Sequence, residues 1–211
     1  MYEEKSSIEK LQEFAKNTQR KIEYFDATKS VNVFSQIPVA KRKVSISNLD
    51  GQNTFFISHN DTQKLGDSSF YSGFFFPMNI PSHIKIDIRR KNIIDKLNPF
   101  FNESNFKSGS KKFDKQVVIK QNDTNLTHEL FSKRKIQELT ITSLKLDERL
   151  KIVVNPFAIN FVPELIDQSI FGILLCNDWI FESTKIEEFF SLIEKFRYNM
   201  NSFHLLEASH R

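Results

Sequence analysis

Residues 184–196 read TKIEEFFSLIEKF, and this stretch gives the clearest structural signal in the chain. Thr184 and Glu187 have the spacing of a capping box, which begins a helix by bonding side chains to free backbone amides. Five apolar residues then fall on one stripe of that helix: Ile186, Phe189, Phe190, Ile193 and Phe196. The stretch predicts a packed amphipathic helix near the C-terminus, and it indicates no chemistry.

A second helix of about six turns is predicted at the N-terminus, over residues 3–25. Its apolar positions follow alternating steps of three and four: Ile8, Leu11, Ala15, Thr18, Ile22 and Phe25. This seam is too short for a stand-alone coiled coil, because short isolated helices are marginal in water. We therefore assign residues 1–26 to an N-terminal helix that packs on its own domain. The alternative is that it packs on one helix of a protein partner.

Residues 42–98 predict a strand-rich part. Four runs have the alternation or the short apolar composition of strands: 44–46, 54–57, 68–78 and 83–89. The last run alternates strictly and places its three Ile side chains on one face, so we expect a half-exposed strand. Asp50 and Gly51 form a hairpin signal between the first two runs. The polar residues 26–41 are predicted to be a connection.

Residues 98–112 contain Pro99 and Gly109 and predict an internal break. After it, residues 113–203 predict strands, helical turns and the final helix: strands at 115–120, 150–154, 170–176 and 179–182, and helical turns at 124–141. Strands with helices at the edges are typical of an α+β fold with a largely antiparallel sheet. We predict that class, with an N-terminal helix, a middle helical segment and a C-terminal capped amphipathic helix, and with 42–98 and 113–203 in one compact unit.

Composition favours an ordered protein with a Phe-rich core. The 22 Phe, against 4 Tyr and 1 Trp, are apolar rings without a polar handle. The single cysteine, Cys176, cannot form an internal disulfide, and no signal peptide begins the sequence, so we expect a cytoplasmic location. The longest apolar run, Ile170 to Cys176, is far shorter than the roughly 20 residues that span a bilayer, so no transmembrane segment is predicted.

Three runs of sequence have a familiar order. They are Phe70-Tyr-Ser-Gly-Phe-Phe-Phe76, then Gly109-Ser-Lys-Lys-Phe-Asp-Lys-Gln-Val-Val-Ile119 with Asp123 before a helix, and Ser169-Ile-Phe-Gly-Ile-Leu-Leu175. Over about residues 44–200 this order resembles a bacterial family of unknown function, in which a Phe-x-Gly-Phe-like strand precedes a Phe-Asp/Glu strand start and an Asp-led helix. The resemblance implies an order of elements but no mechanism. Members of that family are usually membrane-tethered, whereas residues 26–43 are polar here.

Acid–base chemistry is considered for the polar face of the predicted strand 83–89. Its residues are His83, Lys85, Asp87 and Arg89. An alternating charged row is typical of a solvated sheet face, and no nucleophile or phosphate-loop signature accompanies it. A hydrolase-like enzyme therefore stays an alternative, with no catalytic residue assigned. Its candidate residues are His59, His83, Asp87 and His128.

A metal site is considered at His59 and Asp61, which we predict to lie in a turn, together with His83 or His128. No two His residues have the i, i+3 or i, i+4 spacing of helical metal ligands, and no second cysteine exists. Cys176 follows an apolar run, which predicts a buried thiol rather than a nucleophile. No metal and no cofactor is predicted.

Basic residues form four groups: 41–43, 89–91, 133–135, and Lys111, Lys112 and Lys115. Together they could contact phosphates, but the net charge is only +4 and acidic residues are spread among them. A module that binds nucleic acid or anionic lipid is therefore an alternative. Because fold signals are plentiful and catalytic signatures are missing, the favoured function is a non-enzymatic protein-binding or assembly module, which uses a sheet face or the N-terminal helix.

Overall fold

The computed structural model describes residues 6–29, 39–49, 53–93, 95 and 106–201. Its helices are α1 (Ser7–Asn17), α2 (Lys111–Asp114), α3 (Thr124–Phe131), α4 (Arg134–Ser143) and α5 (Ser183–Asn201). Its strands are β1 (Ile22–Lys29), β2 (Val39–Ser47), β3 (Phe55–Asp61), β4 (Phe70–Met78), β5 (Ile86–Arg90), β6 (Val117–Gln121), β7 (Leu150–Val154) and β8 (Ser169–Cys176).

The strands form a sheet in the order β1-β2-β3-β4-β8-β7-β5-β6. The pairs β1/β2, β2/β3, β3/β4, β5/β6 and β5/β7 are antiparallel. This arrangement, with helices at both ends and in the middle of the chain, confirms the predicted α+β class.

Two compact units divide the chain. The first is Met1–Phe75 with Leu174–Phe190, and the second is Phe76–Ile173 with Ser191–Arg211. The division therefore falls inside β4, β8 and α5, and not in the predicted break at 98–112. Of that break, residues 98–105 lie outside the described residues.

Helix α1, in the first unit, begins with its own capping box. The Ser6 hydroxyl accepts a bond from the Glu9 amide at 3.3 Å, and the Glu9 carboxylate accepts one from the Ser6 amide at 2.6 Å. Such reciprocal bonds satisfy two donors that the first turn leaves free. The seam residues Ile8, Leu11 and Ala15 are buried. The helical part of the seam therefore packs within the chain, whereas Phe25, at the predicted end of the seam, is 51% exposed.

The predicted N-terminal helix was wrong at its C-terminal end. Helix α1 ends at Asn17, and Ile22–Lys29 is strand β1. The Thr18 hydroxyl bonds back to a carbonyl of the last turn at 2.8 Å, and Gln19 takes a left-handed φ of 55°. Ile22 and Phe25 fit the helical spacing, but pairing with β2 satisfies their backbone in the sheet. Tertiary pairing here overrides a local period.

The connection predicted at 26–41 is shorter than expected. Its two ends belong to β1 and β2, which pair antiparallel from Lys29 opposite Val39, and residues 30–38 lie outside the described residues. The predicted turn at Asp50 and Gly51 also lies outside them. The flanking strands β2 and β3 do pair antiparallel, as a hairpin requires.

Two boundaries differ in the second unit. The predicted middle helix is two helices, α3 and α4, and the chain leaves helical pairing at Ser132 and Lys133. Strand β5 begins at Ile86 rather than at His83. The alternation itself is confirmed, because the three Ile side chains of this run are all 2% exposed or less.

Residues 179–182 do not form the predicted strand. Two N–H donors of this segment instead bond to groups on the first unit's strands. Trp179 Nε1 donates to the His59 carbonyl at 3.2 Å, and the Ile180 amide donates to the Ser72 hydroxyl at 2.9 Å. These bonds satisfy the buried groups without a strand ladder.

The apolar stripe predicted for helix α5 is confirmed, but the capping box predicted at its start is not. The five stripe residues, Ile186 to Phe196, are each 4% exposed or less. The helix begins at Ser183, and the Ile186 amide bonds to the Glu182 carbonyl at 3.0 Å. Thr184 therefore lies inside the first turn and cannot be the N-cap, so the predicted capping box was wrong.

The Glu187 side chain instead pairs with Arg20, just after α1. Two guanidinium nitrogens of Arg20 donate to the two carboxylate oxygens at 2.5 and 2.8 Å. The Arg20 side chain is only 4% exposed, and its guanidinium lies 5.3 Å from the Phe14 ring and 4.8 Å from the Phe190 ring. This bidentate pair, sandwiched by aromatic rings, connects α1 to the start of α5.

Replacing Glu187 with Gln should lower the free energy of unfolding by about 2 kcal/mol, because it leaves a buried guanidinium without its counter-charge. Urea titration followed by circular dichroism measures the change. Glu188→Gln is the matched control, since Glu188 is the exposed neighbour on the same helix. Equal losses in the two variants would show that the ion pair contributes nothing specific.

Candidate functional site

The candidates for a metal site in the first unit, His59 and Asp61, lie at the end of strand β3 and not in a turn, which corrects the prediction. In the sheet, His59 is opposite Lys43 of β2 on one side and Tyr71 of β4 on the other. Because cross-strand partners share a face, these three side chains form one row. The His59 and Tyr71 ring centroids are 5.3 Å apart.

His59 is a buried, structurally bonded histidine. It is 2% exposed, and its Nδ1 lies 3.0 Å from the Ser68 carbonyl oxygen, which can only accept. Nδ1 therefore carries the proton. Burial lowers the pKa of His59, and the positive charge of Lys64 lowers it further. Both effects favour the neutral ring, which holds β3 to the connection that leads into β4.

Asp61 also has a structural place. It is 3% exposed, and its carboxylate accepts a bond from the Gln63 amide at 3.1 Å, as in a turn closed by an Asp side chain. Lys41 lies 3.9 Å from the carboxylate. Burial raises the pKa of the neighbouring Tyr71 well above its usual range. The row formed by Lys43, His59 and Tyr71 is thus part of the sheet interior, and its polar groups have bonding partners.

The second unit holds the remaining His and Asp candidates, and it does not assemble them. His83 is exposed in the turn before β5, and His128 is exposed on α3. Asp87 pairs with Lys151 of the neighbouring strand β7 at 3.3 Å. Among the described residues, no three His, Cys, Asp or Glu side chains form a group that could hold a metal ion. Cys176, at the end of β8, is buried as predicted.

The polar face of β5 is less solvated than the sequence suggested. Arg89 is half-buried and binds Asp95 through two bonds of 2.6 and 2.8 Å. The Arg89 guanidinium lowers the pKa of Asp95 to about 2, and the Asn92 amide contributes to that shift. Arg89 therefore fixes the chain that follows β5.

Strand β1 is the more informative surface of the first unit. It stands at one end of the strand order, so it is an edge strand. Tyr24 and Phe25 are consecutive and point to opposite faces, yet they are 56% and 51% exposed. The charged neighbours are already paired: Glu23 with Lys21 at 2.7 Å, and Asp26 with Arg42 at 3.1 Å. The edge thus offers aromatic side chains and main-chain groups.

Sequence reasoning missed this edge because residues 3–25 fit a helical period. One available signal was the composition of Ile22 to Phe25, since aromatic and β-branched residues favour strands. A second signal was the predicted strand at 44–46, because each side of a strand must either pair with another strand or remain exposed as a sheet edge.

The predicted basic groups fall in both units. Residues 41–43 lie on β2, and the other three groups belong to the second unit. Two of those three meet in space, because Lys112 of α2 and Arg134 of α4 line one cleft. Lys112 and Arg134 are far apart in the sequence, so only the folded chain shows that they line the same cleft.

These features define an α+β sheet protein with an aromatic edge strand and a basic cleft, in which the histidine and aspartate candidates described above have structural roles or stand apart within their unit. No protein-family model, no curated protein and no solved structure matches the chain. The resemblance over residues 44–200 therefore stays a prediction. None of the helices in the described part of the chain has both the length and the apolar composition to cross a bilayer.

The lowered pKa of His59 predicts that the free energy of unfolding decreases as the pH falls below about 6.5. The unfolded chain takes up a proton there, whereas the folded chain keeps His59 neutral until lower pH. Urea titrations between pH 7.5 and 5.5 measure the slope. His59→Gln should remove most of it, and His128→Gln, at an exposed site, should retain it. An unchanged slope in His59→Gln would contradict the assignment.

Proposed function

We propose that this chain is a non-enzymatic protein-binding module, and that it binds an extended segment of a partner protein along β1. The observation that carries the proposal is the edge position of β1 combined with two exposed aromatic side chains. An edge strand presents a row of main-chain donors and acceptors, and an added strand satisfies them.

The side chains of β1 suit such a partner. Edge strands are commonly protected by charged residues that repel a second chain. Here Glu23 and Asp26 have their charges compensated by Lys21 and Arg42. The exposed aromatic side chains are those of Tyr24 and Phe25, one on each face of the sheet. A partner strand could therefore place apolar side chains on both faces, where aromatic residues contribute most to binding.

The N-terminal helix is a weaker place for a partner. Its apolar seam, with Ile8, Leu11 and Ala15, is buried within the chain. A helix partner would need to displace that packing, whereas the outer side of β1 has no paired strand among the described residues. The proposed setting is the cytoplasm, since a single cysteine suits a reducing compartment.

Site-specific photocrosslinking in cells that produce the full chain tests the proposal. The photoreactive residue p-benzoylphenylalanine replaces Tyr24, and in the control it replaces Tyr198, which is 81% exposed on α5. We expect a covalent product with another protein from position 24 and not from position 198. Mass spectrometry of the product should place the crosslink in an extended segment of that protein.

A second variant, Tyr24→Lys with Phe25→Lys, should abolish capture of the same protein by the tagged chain, because two charges prevent close packing of an added strand. Tyr198→Lys should leave capture unchanged. Circular dichroism and urea titration confirm that the variants fold. Products that contain only a second copy of this chain, or equal products from positions 24 and 198, would overturn the proposal.

A further inference from the structure

The second unit contains an open cleft between α2 and α4, with a volume of about 350 Å³. Its polar walls come from both helices and the segments that follow them. The charged and amide side chains that line it are Lys112, Gln116, Arg134, Gln137, Glu138 and Lys145. Three cations thus face the same space as one carboxylate.

Glu138, the carboxylate among the described lining residues, does not neutralise the cleft. Glu138 accepts a bond from Arg134 Nε at 2.9 Å, one turn away on the same helix. That bond lowers the pKa of Glu138, and the positive charges of Arg134, Lys135 and Lys112 lower it further. With Arg134 and Glu138 paired, Lys112 and Lys145 leave a net positive charge in the cleft.

The walls are held by bonds of their own. Gly109 takes a φ of 86°, which favours glycine, and this turn leads into Ser110, whose hydroxyl caps α2. The Asp114 carboxylate accepts bonds from the amide and hydroxyl of Ser108 at 3.0 and 2.8 Å. On the opposite wall of the cleft, the Gln137 side-chain amide donates to the Phe131 carbonyl at 2.9 Å. These bonds therefore fix the backbone of each wall of the cleft.

We infer that this cleft binds a compact phosphate-bearing anion, such as a small organic phosphate or the headgroup of an anionic lipid. Lys and Arg with neutral donors around a concave space recognise phosphate oxygens. The volume lies at the lower end of the range for small-molecule sites, roughly 300 to 1,000 Å³. The one aromatic lining residue, Phe113, is 1% exposed, so it offers no platform on which bases of a single strand could stack.

The site is tested with pyrophosphate as the probe, by isothermal titration calorimetry on the full chain at low and moderate salt. We expect binding that weakens as salt rises, because the lining charges are solvent-accessible. Arg134→Gln and Lys112→Gln should each weaken it about fivefold. Lys85→Gln removes one positive charge from the exposed start of the β5 segment, outside the cleft, and should leave the affinity unchanged.

Glu138→Gln is a more demanding test, because this variant should strengthen pyrophosphate binding rather than weaken it. It frees Arg134 and removes the carboxylate that the described residues place in the cleft, so pyrophosphate should bind about threefold more tightly. A structural role for Glu138 would predict no gain. Lack of pyrophosphate binding, or equal weakening by Lys85→Gln and Arg134→Gln, would overturn the inference.

Vesicles distinguish the two sources of phosphate. The full chain is sedimented with phosphatidylcholine vesicles that contain about 30% phosphatidylglycerol, because anionic lipids attract basic surfaces. Sedimentation that Arg134→Gln abolishes and pyrophosphate competes away would support the headgroup as the ligand. Pyrophosphate binding without sedimentation would support a free organic phosphate. Sedimentation that is insensitive to both would show general attraction to the membrane and would count against the cleft.

Discussion

Burial of phenylalanine is the constraint on which the rest of this structure depends. In the first unit, Phe74 of β4 packs against Phe56 of β3, with ring centroids 4.9 Å apart, and against Phe189 and Phe190 of α5 at 5.2 and 5.1 Å. In the second unit, Phe171 lies between Phe76 and Phe196 at 5.1 and 5.0 Å. Rings without a polar atom contribute most when fully desolvated, so each sheet face that carries them needs a cover. Helix α5 supplies part of that cover within each unit.

The buried polar groups are arranged around this apolar packing. The hydroxyls of Ser58 and Ser72 form a hydrogen bond of 2.9 Å between β3 and β4, and the Ser72 hydroxyl also accepts a bond from the Ile180 amide. In the second unit, Asn155 adopts a left-handed φ of 47°, so that its side chain bonds the Ile84 carbonyl and the Ile170 amide, both at 2.8 Å. An unpaired buried polar group costs about 1 to 3 kcal/mol, so such bonds fix how neighbouring segments meet. The same reasoning accounts for the burial of His59 and Asp61, whose polar atoms are bonded to main-chain groups.

The proposed binding surfaces lie where these constraints relax. At β1 the sheet has no further strand in the described chain, and Tyr24 and Phe25 remain exposed although rings of their size are usually covered. Between α2 and α4 the lining is charged and open, with an ion pair that partly restrains Arg134. The two surfaces belong to different units and require different ligands, a peptide strand and a phosphate. Each can therefore be tested without the other.

The sequence by itself determined the elements that depend on a strong local period. The stripe of α5, the burial of the three Ile residues in the 83–89 run, the burial of Cys176 and the α+β class were predicted correctly, because side-chain direction in a helix or strand follows from residue spacing alone. Tertiary structure decided what Ile22 and Glu187 do. Ile22 fits a helical seam, but β2 offers its backbone a partner strand. Glu187 fits a capping box, but its carboxylate binds the buried guanidinium of Arg20 instead. The edge at β1 and the meeting of Lys112 with Arg134 depend on which segments become neighbours, and residue spacing along the chain carries no information about that.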